Sequence, residues 1–156
     1  METKHSTQII SLIVGGLLFV LGLAGILFSG FAGLHLSPIY SSIIAFAGGL
    51  LFYTGYKNES RDAFLCCLGF SLFFGLHAVA GWVLGEPGTP QIGYDRPDTY
   101  WLVIIPRIHE LGRTDHILNT ILAFVLMGGA IDWWRRNQKG HGIFHLPHRH
   151  HDSLPQ

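Results

Sequence analysis

Histidine is the richest source of chemistry in this chain, with 10 copies, most of which fall into two groups. The first group is His35, His77, His109 and His116, with Glu110, Asp115 and Asn119 close in sequence to the last two. Neutral imidazoles beside a carboxylate suit zinc, copper or another borderline metal, and two opposed imidazoles suit haem iron. His77 lies inside an apolar run, where an ionisable residue is by default a functional candidate facing the bundle interior. Asn119 follows His116 by one helical turn, so both share one side of a helix. Neither HExxH nor a paired Glu-x-x-His spacing is present, and those are the patterns that announce a metal centre. A histidine at these positions also serves by bonding a neighbouring helix or sitting in a headgroup-level turn. That structural role is the expectation, with a metal or haem site as the alternative.

The second group, His141, His145, His148, His150 and His151, belongs to the C-terminal stretch RRNQKGHGIFHLPHRHHDSLPQ. Such a tract binds transition metals almost regardless of its biology. It is expected to be a disordered, solvated tail, with metal collection or pH-dependent attraction to anionic lipid as alternatives. Cys66 and Cys67 are adjacent and lack the CxxC spacing of thiol oxidoreductases, so they read as small packing residues. Asp132 precedes Trp133, Trp134, Arg135 and Arg136 and reads as half of an interfacial ion pair. The chain has no P-loop, Gly-rich dinucleotide turn or nucleophile elbow. An enzyme acting on lipid or quinone through His109, Glu110 and His116 would need an oriented acid–base pair, which the sequence does not show. No catalytic residue is assigned, and a non-enzymatic protein is expected.

The elements that must position these residues follow from composition and hydropathy. The chain is 49% hydrophobic, only 13% charged, has a mean hydropathy of +0.36 and carries no net charge. That balance points to lipid as the main solvent and gives no sign of a nucleic-acid partner. Apolar runs at 8–28, 38–56, 63–84 and 115–134 are each near the roughly 20 residues that cross a bilayer. One domain, an all-α bundle of four transmembrane helices over 8–134, is therefore expected. A cytoplasmic lead (1–7) precedes it and a cytoplasmic basic, His-rich tail (135–156) follows. The first run is longer than a signal-peptide core of about 7–15 residues, so a retained helix is expected rather than a cleaved leader. Pro38 suits a helix start, and Asp115 reads as an N-cap.

The 31-residue connection 85–115 is the one long loop, and its YWLVIIPRIHEL stretch (100–111) is apolar enough to rest on the membrane surface. Seven Lys and Arg (Lys4, Lys57, Arg61, Arg135, Arg136, Lys139, Arg149) fall on the side of the termini, against Arg96, Arg107 and Arg113 on the other. The positive-inside rule then puts both termini in the cytoplasm. Tyr53, Tyr56, Trp133 and Trp134 would mark the inner boundary, and Tyr40, Trp82 and Trp101 the outer one.

Small residues recur every four positions on two runs: Ser41, Ala45 and Gly49 on the second, Cys67, Ser71 and Gly75 on the third. Such ridges let helix backbones approach closely. Joined by the short KNESR link, the second and third helices are expected to form the tightest pair.

HLSPIYSSIIAFAGGLLFYTG, a polar turn with Pro leading into a Gly-containing second helix, resembles a segment of a bacterial family of uncharacterised four-helix membrane proteins, a domain of unknown function. RTDHILNTILAF is similar to that family's second marker, in which an Asp precedes the last span. The resemblance covers about 8–134 and implies the same architecture, carrying over Pro38, Gly48 and Asp115. Family members tend to place a histidine in each of these helices, whereas Ile44 and Asn119 stand here, with Tyr40 and His116 nearby. A histidine site shared by the family would thus be lost or rearranged in this chain. The leading expectation is an accessory or assembly subunit that works by packing against other membrane subunits or its own copies in the bilayer.

Overall fold

The computed structural model describes residues 6–28, 34–57, 59–89, 97–106 and 108–140, of which 139 and 140 by backbone alone. Four helices are long and apolar enough to cross a membrane: α1 (Ser6–Leu27), α2 (Pro38–Tyr56), α3 (Ser60–Leu84) and α4 (Arg113–Gly140). They run alternately up and down, as short connections between successive helices require. Ser37 caps α2 by accepting the Tyr40 N–H at 3.2 Å, and Pro38 opens the helix where its missing N–H leaves no bond unmade. α3 begins at Ser60, and the link to α2 is correspondingly shorter than 57–61. α4 overruns the expected 115–134 at both ends. Asp132 pairs with Arg136 at 3.0 Å, one turn on, as the sequence suggests. The tail histidines His141, His145, His148, His150 and His151 lie outside the described residues.

The most intimate pair is α1 with α2, not α2 with α3. Gly15 and Gly48 meet backbone to backbone: a Cβ on Gly48 would lie 2.8 Å from the Gly15 carbonyl oxygen, and one on Gly15 would lie 2.8 Å from that of Gly48. Further along the same antiparallel seam, Gly22 faces Ala45 and Gly25 faces Ser41. The second-helix ridge thus includes Ser41 and Ala45, but Gly48 takes the place expected for Gly49, which looks along the Phe19 ring at 3.7 Å. Seven-residue recurrence of small residues on both helices (15 and 22 against 41, 48 and 55) keeps one seam in register along the pair. Periodicity read on the second and third helices alone could not show that the first carried the better match.

On α3 the small residues face other partners. Cys67 is buried, with its Sγ 3.3 Å from the Ser11 hydroxyl of α1. Ser71 is buried, and Gly75 faces Ala123 of α4, whose Cβ is 3.7 Å from where a Gly75 Cβ would stand. α4 is anchored back onto α1 by the Thr7 hydroxyl, which donates to the Gly129 carbonyl at 2.8 Å.

The connection expected as an irregular loop instead holds a three-stranded antiparallel sheet, so the fold is a helical bundle with a small sheet at one end. Its strands are β1 (Glu86–Gly88), β2 (Asp98–Ile105) and β3 (His109–Leu111), in the order β1-β2-β3. The run TYWLVII is rich in aromatic and β-branched residues, which favour a pleated strand over a surface helix. Pro106 sits in the turn between β2 and β3, closed by the Ile108 N–H on the Ile105 carbonyl at 3.1 Å. Of the aromatics expected to mark the outer boundary, Tyr40 and Trp101 are buried within the protein and Trp82 is partly open.

Candidate functional site

Beneath the sheet, at the end of the bundle where α2 and α4 begin and α3 ends, lies a cluster of buried polar side chains. His35, Ser37, His109, Glu110, Asp115, His116 and Asn119 are all at most 6% exposed. So little of each is open to solvent that each group needs an internal partner or remains unpaired at a cost.

Asp115 is the hub. Its Oδ2 accepts the Gly112 N–H at 2.8 Å, and both carboxylate oxygens accept the His35 N–H at 3.2 Å. The His35 Nδ1 stands 3.4 Å from the same carboxylate, and the His35 ring meets the Trp101 indole edge-on at 4.8 Å. Asp115 is therefore not the residue that precedes the helix. It sits three residues inside α4's N-terminus and reaches back to the N–H of Gly112, the reverse half of a capping box. Asp98 adds a second carboxylate at the same helix start, accepting the Arg113 N–H at 2.9 Å and the Tyr100 N–H at 2.9 Å. Two anions at one helix N-terminus are favoured by the helix dipole. Together they tie the turn before α2, strand β2 and the start of α4 into one joint.

Below that joint the Tyr40 hydroxyl donates to Asn119 Oδ1 at 2.6 Å, which explains how a tyrosine can be wholly buried. Its ring meets His109 at 5.1 Å, and His109 stands perpendicular to His77 with ring centroids 5.7 Å apart. The structure so brings His77 and His109 together, from α3 and β3, with Tyr40 of α2 completing the group. His116 is held separately: its Nε2 is 2.8 Å from the Tyr100 carbonyl, and its ring fills the space left by the absent side chain of Gly81. The His77 Nδ1 lies 2.9 Å from the Phe73 carbonyl one turn back on its own helix.

Several buried atoms have no hydrogen-bond partner among the described residues: His35 Nε2, His109 Nδ1, His116 Nδ1 and Asn119 Nδ2. Among those residues no group of three or more His, Cys, Asp or Glu side chains is arranged to hold a metal ion. Sequence reasoning missed Tyr40, Asp98 and Trp101 as members of the cluster. Asp98, set between Pro97 and an aromatic strand, carried the only local hint, since Asx side chains commonly bond backbone two residues on.

Two expected outcomes arise from this geometry. Tyr40→Phe should lower stability by about 1–2 kcal/mol, because Asn119 Oδ1 loses its buried donor. Thermal unfolding in detergent measures it, and Asn119→Leu added to Tyr40→Phe should recover part of the loss. The second concerns pH. Burial, and then the adjacent His77, push the His109 imidazole below its ordinary value of 6.5. The unfolded chain then binds more protons than the folded one between that lowered value and about 6.5, so stability falls as pH drops through this window and is level above it. The melting temperature should be lower at about pH 5.5 than at about pH 7.5, and His109→Gln should flatten the difference.

No protein-family profile, characterised protein or solved structure matches the chain.

Proposed function

We propose that this chain is a non-enzymatic, multi-pass protein of a bacterial inner membrane, with both termini cytoplasmic. It acts as an accessory or assembly subunit, or as a homo-oligomer, through helix packing. The observation that carries this reading is how the polar cluster is used: Asp115 and Asp98 take backbone N–H groups, and His77 and His116 lie against backbone carbonyls. Asp98 and His116 thereby hold the sheet onto α4, and Asp115 holds the turn before α2 to the same helix, the work of a scaffold. The Lys and Arg bias supports the orientation, and the likeness of the His35–Gly55 and Arg113–Phe124 segments to an uncharacterised four-helix family supports the architecture.

A shallow apolar groove between α3 and α4, lined by Ser71, Gly75, Leu76, Ala123, Phe124 and Met127, is the surface assigned to association. A Cβ at Gly75 would meet Ala123 Cβ at 3.7 Å, an ordinary contact, so Gly75→Leu should leave the unfolding free energy within about 1 kcal/mol of wild type while filling the groove. Native mass spectrometry from nanodiscs checks it. A discrete oligomer or a stoichiometric subunit, lost in Gly75→Leu, is the expected result. A lone monomer at every concentration overturns the reading.

A second reading, a metal- or haem-binding protein, is favoured by one observation: the unpartnered His109 Nδ1 beside His77. Elemental analysis of untagged protein ending at Gly140 decides it. About one zinc, copper or iron per chain, lost in His77→Ala, would establish that reading, and no stoichiometric metal would end it.

A further inference from the structure

We propose that the β2–β3 hairpin is an anchor in the membrane interface, its tip immersed at the boundary between headgroups and acyl chains of the bilayer that the helices cross. The hairpin descends beside the bundle rather than standing above it. β2 begins at the end of α3, where Tyr100 meets Trp82 edge-on at 5.1 Å. It ends at Ile105, paired with His109, whose ring lies 5.7 Å from that of His77. His77 precedes the last residue of α3, Leu84, by seven positions, which is about 10 Å along a helix. The tip has therefore come down to a level well inside the end of α3, near the first turn of α2, where Tyr40 meets His109.

The described side chains on either side of the turn are apolar and open on both faces of the strand, with Arg107 outside the described residues. Val103, Ile104, Ile105 and Ile108 are 44%, 47%, 48% and 41% exposed. At the same level on α4, since Gly75 faces Ala123 and Gly81 faces His116, Ile121 is 54% exposed, as a lipid-facing side chain is. Four adjacent branched aliphatics in water would make an aggregation-prone patch, whereas at the level of lipid-facing helix surface they extend it. Helix length sets the depth. α3 has 25 residues, about 37 Å, against roughly 30 Å of hydrocarbon, so its end extends beyond the acyl region. A point about 10 Å back from that end falls near the boundary. The Trp82–Tyr100 pair, each ring half open and the indole N–H donating to the Thr120 hydroxyl at 3.2 Å, then lies on the headgroup side, where such aromatics collect. The occupant is lipid rather than a protein partner, because the tip lies level with open aliphatics of the spans outside the α3–α4 groove, Ile121 of α4 among them, and below the Trp82–Tyr100 pair.

The test places a spin label, one site at a time, at Ile104, Ile105 and Ile108 in a chain carrying Cys66→Ala and Cys67→Ala, reconstituted in phosphatidylcholine–phosphatidylglycerol bilayers. Relaxation by oxygen and by a water-soluble nickel chelate is compared, with Leu17 of α1, open and outside the α3–α4 groove, as a lipid reference and Thr99 as an aqueous one. Oxygen should dominate at the three tip sites as it does at Leu17, at a shallower depth. Nickel dominating at the tip while Leu17 stays in lipid would overturn the anchor and leave the membrane-spanning reading intact. Low access to both reagents would overturn it too, by showing a protein cover. The unmodified chain gives an independent measurement that needs no cysteine replacement. Photolabelling by an acyl-chain diazirine should mark 103–108 alongside the helices, and labelled helices with an unlabelled tip would refute the proposal.

Discussion

Gly48→Leu is expected to be the most damaging single substitution in the protein. The Cβ alone would lie 2.8 Å from the Gly15 carbonyl oxygen and 2.8 Å from the Leu18 carbonyl carbon, and closer still to the Phe19 amide. All three are backbone atoms of α1, so no rotamer change relieves the contact, and the helices must separate along their seam. Overpacking a core costs typically about 1–3 kcal/mol when side chains can give way, and here they cannot, so more than about 3 kcal/mol is expected. Gly15→Leu should behave alike. The contrast is Gly69→Ala and Gly128→Ala, where an added Cβ meets nothing within 4 Å. There the gain in helix propensity should leave stability unchanged or raised by up to about 1 kcal/mol. Thermal unfolding of the four variants in one detergent checks the ranking. Equal losses at Gly48 and Gly69 would refute the assignment of the α1–α2 seam.

Asp115→Ala should follow closely, at about 3 kcal/mol or more. It removes the acceptor for two buried N–H groups, those of His35 and Gly112, and the anion beside the His35 ring. Each buried donor left unpaired costs about 1–3 kcal/mol, and the start of α4 loses a favourable charge. Asp115→Asn keeps one carbonyl oxygen and should cost less than half as much. Hydrogen exchange distinguishes this from a general loss of stability. Because Asp115 joins the turn before α2 to the start of α4, protection should fall first in 34–37 and 109–116, with the α1–α2 seam unaffected. Uniform loss across the chain would count against a local joint.

The four helices were legible because lipid-spanning length and composition are local properties, written in any window of about 20 residues. The ridge on α2 was legible for the same reason, since spacing on one helix is local. Its partner was not. Several glycine-rich faces of similar quality compete, and only the match of Gly15 and Gly22 to Gly48 and Ala45 along a whole seam decides among them. The sheet was hidden by Pro106, which blurs helical amphipathicity and is equally at home in the turn where it is found.

Of the candidate histidines, sequence alone grouped His35, His77, His109 and His116 at one end of the bundle, because topology follows from the order of the spans. Which of them touch was a matter for tertiary structure. His77 and His109 meet because β3 turns inward between α2 and α3, and His116 stands apart because Gly81 leaves it a niche. Asp115 was marked as a helix-start residue by its place in the chain. Its bonds to His35, 80 positions away, exist only once α2 and α4 lie side by side. Burial in lipid and span count are sums over neighbours in sequence, so the sequence by itself determined them. Pairing between spans depends on the fit of surfaces distant in the chain, and only the folded bundle decided it.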